Sequence, residues 1–405
     1  IVNTVEQKFS RLGVDNAPGQ ENRRKEKHLD LRGEPLPGRA VDFSHGDVDA
    51  FPPIPGSLDH FTNGVEQIGA RQAYTEYRGG CETISMLAGK LSSFAGCTID
   101  EKQGLILTPG TQGALFLAMG ALVGRGDKVA VVEPDYFANR KLVDFFDGVL
   151  VPVQMDYFGH RDRAGLDLDQ LEKVFQSGVK VFLFSNPNNP VGAIYSQDEI
   201  RVIAELAGRY GVSLIVDELY SRQVFDGRKY IHLCAEEQAP AQMVTILGPS
   251  KTESMSGYRL GVAFGSPVII ERMEKLQAIV SLRAAGYCQA VFASWFSEPV
   301  GWMEQRIAEH RQIRNDLISL LSQCDGVQVR PTEAGSYLFP QLPPLDVDIS
   351  DFATILRRQA QVTVTPGTEF GPQFTNSIRL NFSQDAVAAQ AAVERMLCLM
   401  ERYRV

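Results

Sequence analysis

Between residues 104 and 264 the chain alternates short apolar, β-branched runs with longer amphipathic stretches, and this constrains the fold more than any other feature. The runs lie at 105–107, 128–132, 149–153, 179–184, 212–216, 243–247 and 260–264. Helical spacing fills 111–122, 138–146, 168–176 and 198–210. Runs this short and continuously apolar suit strands buried on both faces, with helices carrying the chain back between parallel neighbours. The expected fold is α/β: a mostly parallel seven-stranded sheet covered by helices.

In such sheets ligands bind beyond the carboxyl ends of the strands. The unusual residues all fall there: Thr111-Gln112, Asp135-Tyr136, Asn189, Asp217 with Tyr220, and Ser250-Lys251. Lys251 stands between an apolar run and a second one, within Gly248-Pro249-Ser250-Lys251-Thr252-Glu253 and ahead of Gly257-Tyr258-Arg259-Leu260-Gly261. A lysine fixed at the end of a buried strand is placed for Schiff-base chemistry, which needs the neutral amine. Arg259 brings a permanent cation back beside it, able to grip a phosphate. Thr111 and Gln112 open a helix whose first amides point outward, a setting for phosphate. Asp217, directly after an apolar run, is suited to pair with a cationic ring nitrogen. Each feature also has an ordinary structural reading, as a turn, a helix cap or a core tyrosine.

Around this region the pattern differs. Residues 1–40 are polar, with a helix expected over 4–12 and then an arm; the mixed-sign cluster Glu21 to His28 reads as solvated. A turn-rich loop follows at His45-Gly46-Asp47, and 83–94 has helical spacing. Beyond residue 286 a long helical stretch is expected over 289–321. Strands are then expected at 327–330, 336–340, 362–365 and 377–383, with helices at 349–359 and from 385. Arg379 opens the last of these strands. The expected division is an N-terminal arm and part of a small domain over 1–50, a large domain over 51–295, and a smaller α+β domain over 296–405.

Composition narrows the function classes. The 405 residues are 44% hydrophobic and 22% charged, with a formal net charge of -9 and no dense basic tract. These features argue against a nucleic-acid partner. No apolar run reaches membrane-spanning length, and Ile1-Val2-Asn3 has no signal-like pattern. The six cysteines are scattered, without a C-x-x-C, as are the six histidines. This argues against disulfides and structural zinc and fits a cytoplasmic setting.

Taken in order, Ser185-Asn186-Pro187-Asn188-Asn189-Pro190-Val191-Gly192, Asp217-Glu218-Leu219-Tyr220, Ser250-Lys251, Gly257-Tyr258-Arg259-Leu260-Gly261, Pro366-Gly367 with Phe370-Gly371, and Ser377-Ile378-Arg379-Leu380 form a recognisable set. From about residue 40 to its end the chain resembles the class I/II aminotransferases, fold-type-I pyridoxal 5′-phosphate enzymes of the aspartate and aromatic aminotransferase superfamily. The resemblance implies that Lys251 carries the cofactor and moves the proton at substrate Cα. Asp217 would meet the pyridinium nitrogen, Asn189 and Tyr220 the 3-oxygen, and Tyr136 the ring face. Thr111, Gln112, Ser250 and Arg259 would hold the phosphate. Arg379 would take the substrate α-carboxylate, with the Gly46 backbone nearby. It further implies a homodimer with active sites at the interface, where an aromatic residue of the neighbouring subunit reaches the phosphate. Tyr74 and Tyr77 are the candidates, and Tyr74 is preferred.

Two departures stand out. Gly248 occupies a position where relatives often carry a hydroxyl residue, so one phosphate bond is expected to be lost or supplied elsewhere. The segment 282–295 offers only Arg283 as a partner for a distal carboxylate, and a solvent-facing side chain is expected there. The expected reaction is ping-pong transfer of an amino group between an L-amino acid and a 2-oxo acid, the amino acid being neutral, aromatic or specialised rather than strictly aspartate. A pyridoxal-phosphate lyase or cyclising synthase on the same scaffold is the alternative. A regulator with an aminotransferase-like domain fits less well, because the leading segment is short for a DNA-binding domain.

Overall fold

A computed structural model describes residues 4–14, 29–68 and 74–405; the charged cluster at 21–28 lies outside them. Twelve strands occur among the described residues. In chain order they are β1 (Val41–Asp42), β2 (Leu105–Pro109), β3 (Lys128–Glu133), β4 (Val149–Gln154), β5 (Val181–Ser185), β6 (Ser213–Asp217), β7 (Met243–Leu247), β8 (Leu260–Gly265), β9 (Tyr337–Leu338), β10 (Val362–Thr363), β11 (Thr365–Pro366) and β12 (Ile378–Asn381).

The seven strands β2 to β8 form one sheet in the order β2-β8-β7-β6-β5-β3-β4. All neighbours pair in parallel except β8, which is antiparallel to both β2 and β7. Parallel neighbours need a crossover, usually a helix, whereas an antiparallel pair can be joined directly. The β7–β8 link therefore has no helical crossover. It forms a loop with one 3₁₀ turn at Ser256–Tyr258, and this loop presents Lys251.

The central strands β5 and β7 are buried along their whole length. The expected positions of β2 to β8 match the observed ones to within about two residues. The helix Leu168–Gln176 starts at an Asp167 cap, and Gln197–Tyr210 starts with a Ser196–Glu199 capping box. Glu199 also accepts amide hydrogens from Ala164, Gly165 and Leu166, pinning the preceding loop.

A second core gathers the C-terminal half around chain from the start. Val41, Phe43 and Phe51 pack with Leu317, Leu338, Phe352, Leu380 and Met396. β1 pairs in parallel with β10, while β12 lies antiparallel between β11 and β9. The first helix, Thr4–Leu12, lies beside Phe137–Phe145, where Lys8 sits 4.4 Å from the Phe145 ring centroid and Lys141 donates to the Gly13 carbonyl.

Two expectations need correction. The helical stretch over 289–321 is broken, and the long helix begins only at Trp302. Pro299 and the left-handed Gly301 lie in the break, and Phe296 is also left-handed. No strand forms over 327–330, where a single bridge joins Gln328 to Gln341 beside Pro331. Helices Ser57–Ile68 and Pro267–Val280 go beyond the sequence reading. In the first of them Gly64 allows close packing, since a Cβ there would lie 2.7 Å from the Tyr287 carbonyl oxygen.

Candidate active site

The carboxyl ends of β5, β6 and β7 open into a cavity of about 260 Å³, closed on its other side by β9 and β12. Thr111, Gln112, Tyr136, Asn189, Asp217, Tyr220, Ser250, Lys251, Arg259 and Arg379 all line it. Gly46 lines an adjoining space with Ser250 and Lys251. Thus every expected site residue except Tyr74 is gathered at one place.

Asp217 ends β6 at the cavity floor. Its carboxylate accepts from the Leu219 amide at 3.1 Å, and no lysine, arginine or histidine side chain lies within ion-pair distance among the described residues. Burial raises its pKa to about 6; the Leu219 bond lowers it and neighbouring Glu218 raises it. A half-buried acid without a cation is what a protonated ring nitrogen would complete.

Lys251 is half-buried and lines the same opening. Next to it the helix Gly110–Leu122 begins at Pro109, which provides no side-chain cap, so the first-turn amides have no such partner. The Arg259 guanidinium crosses this helix end. A Cβ at Gly110 would lie 2.5 Å from its Nη2, and one at Gly261 would lie 2.4 Å from the Gly110 carbonyl carbon. Glycine at both positions lets arginine and helix terminus approach the same point. An uncapped terminus beside a guanidinium is a phosphate cradle.

Gly248 belongs to the same arrangement. A Cβ there would meet the Thr111 methyl at 2.8 Å and the Leu260 carbonyl oxygen at 3.1 Å. Thr111 thus fills the space that a side chain at 248 would need.

The opposite wall is built around Arg379, which is only 2% exposed. It donates to Asn189 Oδ1 and to the Ser44 carbonyl, both at 3.0 Å, and its Nε has no partner. Its guanidinium lies between two rings, with Tyr337 at 4.2 Å and Phe370 at 4.9 Å. A buried guanidinium with an unused N–H is a natural seat for a carboxylate.

Several residues here escaped the sequence reading. Tyr337 accepts a hydrogen bond from Tyr220 Oη at 2.7 Å, with the rings edge-on. Burial pushes both hydroxyls up; for Tyr337, Arg379, Lys251 and the Tyr220 bond together reverse that, whereas Tyr220 stays raised. Tyr337 reaches the site because β9 pairs with β12 in the register Tyr337 to Asn381, and a two-residue strand carries no period to reveal this. In the sequence Asp135 stands out only as a residue that follows a strand. It accepts from Ser185 Oγ (2.6 Å), Ser185 N (3.0 Å) and Tyr136 N (2.6 Å), and Ser185 Oγ in turn accepts from Asn189 N. Burial raises Asp135 to about 7, against these bonds. Tyr136 is fixed further by donating to Gln112 Oε1 at 2.9 Å. At the cavity mouth His45 pairs with Asp42 at 3.2 Å, and that contact carries its pKa to about 9 against burial.

Tyr74 and Tyr77 lie outside the cavity, 70% and 43% exposed. Arg283 does not point freely to solvent. Its guanidinium stacks on both rings, at 4.6 and 5.2 Å, and its Nε is buried without a partner. Among the described residues no group of three or more His, Cys, Asp or Glu could hold a metal ion. No described helix is long and apolar enough to cross a membrane.

The family profile of aminotransferase class I and II matches residues 50–396. The chain belongs to that family. As a class I/II aminotransferase it is a pyridoxal 5′-phosphate-dependent enzyme, and the residues gathered at the cavity fit that cofactor. The solved structure of an aspartate aminotransferase from Rhodobacter sphaeroides is 58% identical to it, with a TM-score of 0.93, covering 99% of this chain and 100% of that one. The aspartate aminotransferase of Sulfolobus acidocaldarius is 28% identical over 368 residues, 88% of this chain and 89% of its own. An asparagine–oxo-acid transaminase from Streptococcus mutans is 26% identical over 342 residues, 82% of this chain and 85% of its own. The fold of this aminotransferase is the pyridoxal-phosphate transferase fold.

Proposed function

We propose that this aminotransferase moves the amino group of an L-amino acid to a 2-oxo acid in two half-reactions, with the named residues in the following roles. The observation that best supports the reading is Arg379, buried between Tyr337 and Phe370 with its Nε unused, facing Lys251 across one cavity. The α-carboxylate of the substrate binds Arg379 and sets Cα toward Lys251. Lys251 Nζ takes the proton from Cα and later returns it. When bound, pyridoxal phosphate supplies the electron sink that makes this proton removable. Asp217 would hold the ring nitrogen, Asn189 and Tyr220 the 3-oxygen, and Tyr136 the ring face. Thr111, Gln112, Ser250 and Arg259 hold the phosphate, and the Gly46 backbone borders the substrate.

Tyr74 serves the neighbouring subunit of a homodimer; its exposure outside its own cavity supports this. Residues 51–295 act as the large cofactor-binding domain, and 296–405 with the 1–50 segment as the small one. A cytoplasmic location accompanies this reading.

The substrate side chain is neutral or aromatic. Phe137, Leu115 and Leu219 line the cavity, while His45, the remaining cation at its mouth, is tied to Asp42. A second reading, a dicarboxylic donor, is favoured by the name of the 58%-identical relative. None of the relatives named above is a lyase or cyclising synthase, and that alternative is not favoured.

The test is a single half-reaction on the cofactor-loaded enzyme, adding amino acids one at a time without an oxo acid. Loss of the lysine-linked cofactor band with equimolar oxo acid released is the expected result. Ammonia release over many turnovers without an acceptor would contradict it. Phenylalanine and a neutral donor reacting faster than aspartate supports the first substrate reading, and the reverse order supports the second.

A further inference from the structure

Outside the cofactor cavity, two cysteines far apart in sequence meet. Cys97 follows Gly96, the left-handed residue that ends the helix Cys81–Ala95, and Cys234 sits in the 3₁₀ turn Leu233–Ala235. Their sulfurs lie 3.1 Å apart across 137 positions of sequence. Both are partly exposed, and neither lines the cavity. No other pair of cysteine sulfurs comes this close among the described residues, and all six thiols are free.

The surroundings distinguish the two thiols. Beside them His232 is held by Glu218 at 2.6 Å, with the rings of Phe94 and Tyr230 edge-on to the imidazole. Sharing a hydrogen with Cys234 holds the Cys97 thiol below its usual range, and the His232 imidazole acts the same way, whereas burial and Glu218 oppose this. The same bond, burial and Glu218 push Cys234 up. These directions favour Cys97 as the attacking sulfur and Cys234 as the resolving one.

We propose that Cys97 and Cys234 form a dithiol modification site that reacts with a peroxide and closes to an intrachain disulfide. The Cys97 thiolate attacks one peroxide oxygen, the O–O bond breaks, and hydroxide leaves. Cys97 is now a sulfenic acid, oxidised by two electrons while the peroxide is reduced by two. Cys234 sulfur then attacks the Cys97 sulfur, the S–S bond forms, the S–O bond breaks, and water departs with the Cys234 proton. The product ties the end of the helix Cys81–Ala95 to the turn Leu233–Ala235. The site is independent of which amino acid the enzyme takes.

The reduced, cofactor-loaded enzyme is treated with equimolar hydrogen peroxide, alkylated, and mapped by mass spectrometry without reduction. The expected product is one cross-linked peptide pair joining Cys97 to Cys234, lighter by two hydrogens and lost after dithiothreitol. In Cys234→Ser a dimedone-reactive sulfenic acid should accumulate at Cys97, and in Cys97→Ser the Cys234 thiol should still alkylate after peroxide. The proposal is overturned if Cys97 and Cys234 alkylate as fully after peroxide as before it. It is equally overturned if the exposed Cys81 or Cys398 oxidises first while Cys97 stays reduced. The unmodified chain decides between these outcomes even if a variant fails to fold.

Discussion

The two walls of the cavity are built by different means. On one side Asp217, Lys251 and Asn189 stand at or just beyond the ends of five-residue strands paired on both sides within the seven-stranded sheet. On the other, Arg379 and Tyr337 come from strands of four and two residues. There the rigidity comes from side chains: Arg379 is fixed by Asn189, the Ser44 carbonyl and two rings. A sheet can hold catalytic groups by backbone alone, whereas a short-stranded wall must lock each group individually. Substitutions on the sheet wall should therefore remove chemistry and leave the scaffold intact, and those on the other wall should alter binding.

The largest effect is expected at Lys251. Lys251→Ala should lower the half-reaction rate by roughly 10²–10⁴-fold or more, measured in single turnovers, with the fold unchanged by circular dichroism. On the opposite wall, Arg379→Ala should cost about 2–5 kcal/mol in kcat/KM, because it leaves the substrate carboxylate without its buried cation. Most of that loss should appear in KM. If kcat carries it instead, Arg379 belongs with the sheet wall and the contrast fails.

Asp217 offers a comparison through pH. Burial raises its pKa to about 6 from the ordinary carboxylate value of 3.8. The folded apoprotein therefore favours the neutral acid. The associated stability is complete below about pH 4 and is lost as pH rises through about 6. Asp217→Asn should remove that loss and stabilise the apoprotein at pH 8 by on the order of 3 kcal/mol, read from urea unfolding. The same substitution should weaken cofactor retention. An Asp135→Asn apoprotein, with Asp217 intact, that is equally stable across this pH window would contradict the account.

The smallest effect is expected at Tyr337. Tyr337→Phe removes the hydroxyl partner of Tyr220 but keeps the ring beside Arg379, so kcat/KM should fall by about 1 kcal/mol. Tyr337→Ala, which also strips the stacking, should cost more and act mainly through KM.

The same contrast explains what could be read in the sequence. Apolar runs buried on both faces announce themselves, and the acid or lysine that follows each run is conspicuous by chemical type. Asp217 and Lys251 were legible for that reason. Arg379 was noticed as a charge in an apolar strand, but its sandwich of rings was not, because Tyr337 and Phe370 converge through long-range packing. The break before Trp302 was hidden by apolar residues at helical spacing, even though Pro299 and Gly301 stand in the line. The Arg283 stack on Tyr74 and Tyr77 joins segments about 200 residues apart, and no local pattern encodes it.

The central claim is that one wall performs the proton chemistry while Arg379 reads the substrate carboxylate. Its most direct test compares the half-reaction of an amino acid with that of the matching amine lacking the carboxylate, in the wild type and in Arg379→Ala. The wild type should prefer the amino acid strongly, and the variant, still loaded with cofactor, should treat the two nearly alike. An Arg379→Ala enzyme that keeps the full preference would contradict the account.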